Sequence, residues 1–226
     1  AMAAAGAVRA AELRRGVIDT TSLVRAISGL EPFSARKRMS EAGMLLVDGR
    51  GASRIAKYAR SLVLSERITV RPAVSGDMTA VHRLSNEPSV RASSINTSRI
   101  TLTGHRKWFE EKIKDPDCLF LAAEYLGGFV GQVRFARGKE DAVVSISVSG
   151  KMRGTGAGRV ILEKALSRFR QGYPGAGVLA YIKKDNIPSR RLFEGCGFVR
   201  IGEPKVNGRK MLLYRDSGRP GKRSVA

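Results

Sequence analysis

Arg153-Gly154-Thr155-Gly156-Ala157-Gly158 lies between a β-branched run, Val143–Val148, and a helix-period run carrying Val160, Ile161, Leu162, Ala165, Leu166 and Phe169. Glycines at this point let successive backbone N–H groups turn outward with no Cβ in the way. The helix start that follows adds positive partial charge. Strand, glycine loop and helix together make a pyrophosphate cradle, although a plain tight turn uses the same residues. No Gly-Lys-Ser/Thr closes the loop, so it is not an ATP-type P-loop. No βαβ unit opens the chain, which argues against a dinucleotide fold. Downstream, a strand over Gly177–Ile182 leads to Asn186-Ile187-Pro188-Ser189-Arg190-Arg191-Leu192-Phe193 and then Gly197-Phe198, with a short helix over Pro188–Glu194.

Working outward, Ile68–Arg71 alternates as a strand that Pro72 ends, and Asp77 opens a helix holding Met78, Val81 and Leu84. Thr101–Ile113 is a second helix. Cys118–Tyr125 and Phe129–Phe135 form a hairpin around Gly127-Gly128, which supplies turn freedom. Phe198–Ile201 and Met211–Tyr214 are closing strands. This order, β-α-α-β-β-β-α-β-α-β-β, implies a mixed sheet with helices on its faces. Before Glu66 the text is Ala-rich and helical, with Leu23, Ala26, Ile27 and Leu30, then Ile55, Tyr58, Ala59 and Leu62, at helical spacing. Ser34 suits the cap of a helix running towards Leu45–Val47, and Asp48-Gly49-Arg50-Gly51 breaks it. The expected domains are a helical appendage over 1–65, an α/β domain over 66–216 and a mobile basic tail over 217–226.

The chain has 226 residues, 42% of them hydrophobic, enough to bury a core without staples. Two cysteines exclude a disulfide framework and point to a reducing, cytoplasmic setting, and two scattered histidines with two cysteines make no metal site. No apolar run reaches the ~20 residues of a membrane span. A net charge of +21 favours anionic partners. Residues 1–65 carry 11 Lys/Arg against 5 acids and 66–226 carry 30 against 15, so the charge is spread and forms no dense nucleic-acid tail. A basic nucleic-acid-binding module remains the non-enzyme alternative, without interleaved aromatics to support it.

The R-x-x-G-x-G loop at Arg153, Gly156 and Gly158, followed by the N-x-x-S-x-x-x-F-x-x-x-G-F run from Asn186, resembles the GNAT superfamily of acetyl-coenzyme A-dependent N-acetyltransferases over roughly Ile68 to Arg215. The resemblance implies a mixed, mostly antiparallel sheet of about seven strands flanked by four helices. It also implies acetyl-coenzyme A as cofactor and no metal. Arg153, Gly154, Thr155, Gly156, Ala157 and Gly158 then hold the pyrophosphate. Ile146 and Val148 lie on the strand that binds the pantetheine arm, and Asn186, Ser189 and Phe193 lie where relatives contact it. Where many relatives carry a Tyr that protonates the leaving thiolate, this chain has Phe193, which cannot. Tyr181 stands where related protein N-terminal acetyltransferases place a glutamate base. Its hydroxyl suits an acid or a water-orienting group; an ordinary strand tyrosine is the alternative.

Asn86-Glu87-Pro88-Ser89-Val90-Arg91, Ile100-Thr101, His105-Arg106-Lys107-Trp108-Phe109 and Gly131-Gln132-Val133-Arg134 resemble the GNAT branch that acylates amino sugars carried on nucleotides. That resemblance makes Arg91, His105, Gln132 and Arg134 substrate-binding candidates, with His105 otherwise a surface or capping residue. Met39-Ser40-Glu41-Ala42 and Leu46–Ile55 resemble the C-terminal tail of nucleotide-sugar hydrolases of the pseudaminic acid pathway. The acceptor so implied is the 4-amino group of a UDP-linked amino-dideoxy sugar. The partner is then a small molecule, with no specific nucleic acid and no membrane, and the protein is a monomer or homodimer. A protein or peptide N-acetyltransferase, or a degenerate coenzyme-binding regulator lacking its acid, are the competing readings.

Overall fold

The computed structural model describes residues 13–14, 17–46, 49 and 51–216. The Ala-rich opening, part of the hydrolase-like segment around Val47–Arg50 and the expected basic tail over 217–226 lie outside the described residues. The chain divides into two compact units, one ending at Tyr58 and the other starting at Ala59.

In the first unit a two-residue pairing, β1 (Leu13–Arg14) with β2 (Val17–Ile18), interrupts the stretch expected to be helical throughout. Helix α1 (Thr20–Ser28) follows, capped by Asp19, whose carboxylate accepts from the Ser22 N–H at 2.9 Å. Helix α2 spans Phe33–Leu46, so Ser34 sits inside its first turn and does not cap it. The apolar residues at helical spacing are largely open to solvent, Leu23, Ile27, Ile55, Tyr58 and Leu62 among them.

Helix α3 (Gly51–Arg67) runs past the expected boundary at Glu66, and its Leu64 is buried in the second unit's core. That unit continues through β3 (Ile68–Pro72), α4 (Met78–Ser85), α5 (Pro88–Ser93), α6 (Leu102–Lys114), β4 (Cys118–Tyr125), β5 (Gly128–Arg137), β6 (Asp141–Val148), α7 (Ala157–Gly172), β7 (Gly177–Lys183), α8 (Ile187–Gly195), β8 (Phe198–Gly202), β9 (Lys205–Val206) and β10 (Arg209–Asp216). The strand order is β3-β4-β5-β6-β7-β10-β8, with β9 added on β10. Every pairing is antiparallel except β6 with β7. The sheet therefore has eight strands, the expected seven plus short β9, and α5 is a helix that the hydrophobic pattern does not announce.

The hairpin between β4 and β5 turns on Leu126 and Gly127, at φ 50° and 79°, while Gly128 already pairs with Tyr125. The turn is thus one residue earlier than the glycine pair suggests. Two left-handed central residues match the twist of the flanking strands, and Leu126 bears that conformation at an exposed tip.

Alternation splits the sheet's side chains between two cores. Val133, Phe135, Val178, Ala180, Ile182, Leu212 and Tyr214 pack with Ile161, Leu162, Ala165 and Phe169 of α7. On the opposite face Cys118 and Phe120 pack with Val81 of α4 and Phe109 of α6. Arg71 braces this second face, bidentate to Asp77 at 2.7 and 2.8 Å and bonded to Glu124 at 2.6 Å. It holds the Asp77 carboxyl below the usual carboxylate range.

Gly131 shows how tightly β5 and β6 are set: a Cβ there would stand 2.8 Å from the Ser147 carbonyl oxygen. Gly131→Ala is therefore expected to cost about 1–3 kcal/mol, as overpacking against backbone does. Gly172→Ala, where a Cβ meets nothing within 4 Å, is the neutral control. Equilibrium unfolding in urea measures both.

Candidate active site

Strands β6 and β7 pair only at Asp141↔Gly177, Ala142↔Val178 and Val143↔Leu179. On their outer sides they stay bound much further, β6 to β5 up to Val148 and β7 to β10 up to Lys183. Beyond Val143 the two strands splay, which opens a V-shaped slot in the middle of the sheet. Ile146 and Val148 lie on the β6 lip and pack partly against the α7-side core. Ser145 and Ser147 alternate to the other face.

The glycine loop sits at the end of the β6 lip. Gly154 and Gly156 take φ 74° and 97°, and Gly156 is the left-handed N-cap of α7. A Cβ at Gly154 would meet nothing within 4 Å, so conformation and not space demands glycine there. Thr155 closes the turn, its hydroxyl donating to the Met152 carbonyl at 2.7 Å. Ala157 begins α7, one residue before the expected start at Gly158. The Arg153 guanidinium donates to the Val148 carbonyl at 2.8 Å and pairs with Glu87 at 2.6 Å, and it also bonds the Ser89 hydroxyl. Glu87 further accepts from the Gly150 N–H at 3.3 Å. Sequence reading missed this carboxylate, whose partner is 66 residues away along the chain.

On the β7 lip Tyr181 lies past the last β6 pairing, beside Leu213 of β10. Val178, Ala180 and Ile182 point into the α7-side core, so Leu179, Tyr181 and Lys183 point to the opposite face. Gln132 and Arg134 share that face; they stand across from Ser147 and Ser145. The structure thus gathers Gln132, Arg134, Ser145, Ser147 and Tyr181 around one side of the slot. Arg134 lies 5.1 Å above the Trp108 ring, a cation–π contact, and desolvation lowers its pKa.

Other candidates fall elsewhere. Arg91 spends its guanidinium on the carbonyls of Ser85, Asn96 and Ser98 and on the Ser94 hydroxyl, which makes it a staple of the segment between α4 and α6. His105 is not at the surface: it is 2% exposed, 5.1 Å from the His82 ring and 5.2 Å from Trp108. Asn186 caps α8 through its side-chain oxygen, which accepts from the Ser189 N–H at 3.2 Å. Phe193 is buried edge-on against Phe198. Burial pushes the Cys196 thiol up to about 12, which removes it as a proton donor near neutral pH.

The fold thus carries a slot between splayed parallel strands, with a left-handed glycine loop capping the next helix. The model of the acetyltransferase (GNAT) family matches residues 80–198, and the chain belongs to that family. It is an acetyl-coenzyme A-dependent N-acetyltransferase. Among solved structures it is similar to a spermidine N-acetyltransferase from Vibrio cholerae in complex with CoA and spermine, at 20% identity and TM-score 0.59 over 66% of this chain and 94% of that one. It is also similar to a ribosomal-protein-alanine N-acetyltransferase from Brucella melitensis, at 23% identity and TM-score 0.55 over 65% and 98%. RimJ of Mycobacterium smegmatis in complex with CoA-disulfide follows at 20% identity and TM-score 0.57 over 66% and 80%. No curated protein matches. Among the described residues no helix is long and apolar enough to cross a membrane, and no cluster of metal-binding side chains occurs.

His105 generates a pH prediction. Burial, with a smaller push from His82, moves it from its ordinary value of 6.5 down to about 4. As pH falls from about 6.5 to 4, the unfolded chain binds a proton that the native state refuses. Its stabilising effect, complete above 6.5, is lost across that window, up to about 3 kcal/mol. Urea unfolding of the wild type and His105→Leu across this range is expected to show the variant's stability falling less steeply.

Proposed function

We propose that the enzyme acetylates the 4-amino group of a UDP-linked amino-dideoxy sugar. The carrying observation is the acceptor face itself. Arg134 is a desolvated guanidinium stacked on Trp108, beside Gln132, Ser145 and Ser147, and three carboxylates elsewhere in the domain are already committed. Asp77 and Glu124 pair with Arg71, and Glu87 pairs with Arg153. A polyamine needs free carboxylates; a hydroxylated, anionic acceptor needs donors and cations, which this face has. Two buried free thiols, Cys118 and Cys196, suit work in the cytoplasm. On this reading the first unit is a remnant of a neighbouring hydrolase and a packing element without a site of its own.

The fit to coenzyme rests on the left-handed Gly154 and Gly156 and on the slot. Amides of residues 154–158 and Arg153 would hold the pyrophosphate, with the Glu87 carboxylate giving way. The β6 edge at Ile146–Val148 would bond the pantetheine arm as an added strand, and Asn186 and Ser189 would meet it from α8. Acetyl-coenzyme A supplies the thioester carbonyl that a neutral amine attacks; the C–N bond forms and the C–S bond breaks. Tyr181, on the β7 lip, gives the sulfur its proton or orients the water that does, and the proton that the acylated amine loses replaces it. Phe193 keeps a core role.

The decisive experiment is turnover of a panel of UDP-linked amino sugars, peptides and polyamines, followed by release of free thiol. UDP-linked 4-amino sugars are expected to lead; turnover confined to peptides or polyamines overturns the proposal. Gly156→Val, forced into a left-handed conformation, is expected to abolish the rise in melting temperature that acetyl-coenzyme A produces by binding the native state. Tyr181→Phe is expected to lower kcat by roughly 10- to 10⁴-fold while leaving coenzyme affinity unchanged. Wild-type kcat in that variant, measured where chemistry limits turnover, would relegate Tyr181 to packing.

A further inference from the structure

The carboxyl end of β7 and the start of β10 enclose a shallow cleft of about 450 Å³, lined by Lys183, Lys184, Asp185, Arg209, Lys210 and Met211. Four of its six residues are cationic and one is acidic. Lys184, Arg209 and Lys210 form no ion pair among the described residues, so their charge is not spent on a carboxylate of the protein. The turn that presents them is built for it. Asn207 and Gly208 take φ 48° and 78°, and Arg209 and Lys210 then pair back onto Val206 and Lys205. The Met211 N–H donates to the Pro204 carbonyl at 2.9 Å, which fixes the hairpin's base.

Position separates this cleft from the glycine loop. Lys183 follows Tyr181 by two residues on the same face of β7, a rise of about 6.6 Å. Met211 stands directly across from Lys183 as Leu213 does from Tyr181. The cleft therefore begins one sugar ring's width from the tyrosine. Helix α5 separates the two basic regions. Its start is held by Arg153 through Ser89, and its end by Lys183, whose ammonium donates to the Ala92 carbonyl at 2.6 Å. Six helical residues span roughly 9 Å. The slot thus has a cationic cradle at the β6 lip and a second cationic cleft at the β7 lip.

We infer that the cleft is a phosphate subsite for the acceptor, taking the diphosphate of the nucleotide-linked sugar while the glycine loop takes that of the coenzyme. This rests on the acceptor proposed above. Two phosphorylated substrates meeting in one ternary complex need separate anion sites, since a shared one would make them compete. Lys184, Arg209 and Lys210 supply the cleft's charge, and Lys183, two residues along β7 from Tyr181, sets its wall.

The test compares wild type with the double variant Lys184→Glu/Lys210→Glu. Lys114→Glu/Lys139→Glu, which makes the same change in net charge at exposed residues away from the cleft, is the control. Melting temperatures establish that all three fold. Calorimetry with inorganic pyrophosphate and with UDP, acetyl-coenzyme A being saturating, reads the subsite without needing turnover. Both ligands are expected to bind the wild type and the control and to be lost in the cleft variant. In steady state the KM for the UDP-linked amino sugar is expected to rise about tenfold or more in the cleft variant, the KM for acetyl-coenzyme A staying unchanged. A rise in the coenzyme KM instead would assign the cleft to the coenzyme and overturn the inference. Equal losses in both variants would reduce it to the general basic field and overturn it as well. Pyrophosphate binding that is lost in the cleft variant, in an enzyme that turns over no UDP-linked sugar, would keep the phosphate subsite and discard that acceptor.

Discussion

Three residue pairs between β6 and β7 govern the rest of this enzyme. Past Val143↔Leu179 each strand is held only by its outer neighbour, β6 by β5 and β7 by β10. Two strands tied on opposite sides, in a sheet that twists, separate where nothing ties them to each other. The separation leaves one edge of β6 open for an extended ligand and lets side chains of β7 approach from across the gap. Helix α7 packs on one face of the sheet, with Val160, Ile161 and Leu162 in the core that Ile146 and Val148 also touch. The loop that starts α7 follows the end of β6, and its left-handed Gly156 caps the helix.

Charge acts on top of this geometry. The excess of cations is not uniform background, because the acids present are used selectively. Asp77 and Glu124 brace Arg71 at the far side of the second core, Asp141 pairs with Arg215, and Glu87 reaches Arg153. Exposed pairs of this kind contribute little stability singly. Arg134 is desolvated against Trp108, and lysines stand at the end of β7.

The handling of protons follows from which side chains face the slot. Phe193 and Cys196 are near it in sequence and turned into the core, and burial keeps the Cys196 thiol protonated. Tyr181 is turned the other way by simple strand alternation. His105, one of only two histidines, is buried among His82, Trp108 and Phe109, and that burial favours its neutral form.

Local sequence determined much of this protein. The alternation of Cys118–Tyr125, the helical period after Gly158, the Pro72 stop and the glycines at 154 and 156 each report a local backbone requirement, and each element stands within a residue or two of its expected place. The loop's chemistry was legible for the same reason, since a left-handed turn before a helix is encoded in consecutive residues. Tertiary structure alone decided what depends on partners distant along the chain. The splay needs two outer pairings that no local pattern records. Arg91 reads as a substrate-binding cation until the carbonyls of Ser85, Asn96 and Ser98 surround it, and His105 reads as a substrate-binding, surface or capping residue until His82, Trp108 and Phe109 close around its ring. Glu87 meets Arg153, and Lys183 meets the end of α5, only because the sheet brings together segments far apart in sequence. Periodicity encodes the face a side chain takes; what waits on that face is set by topology.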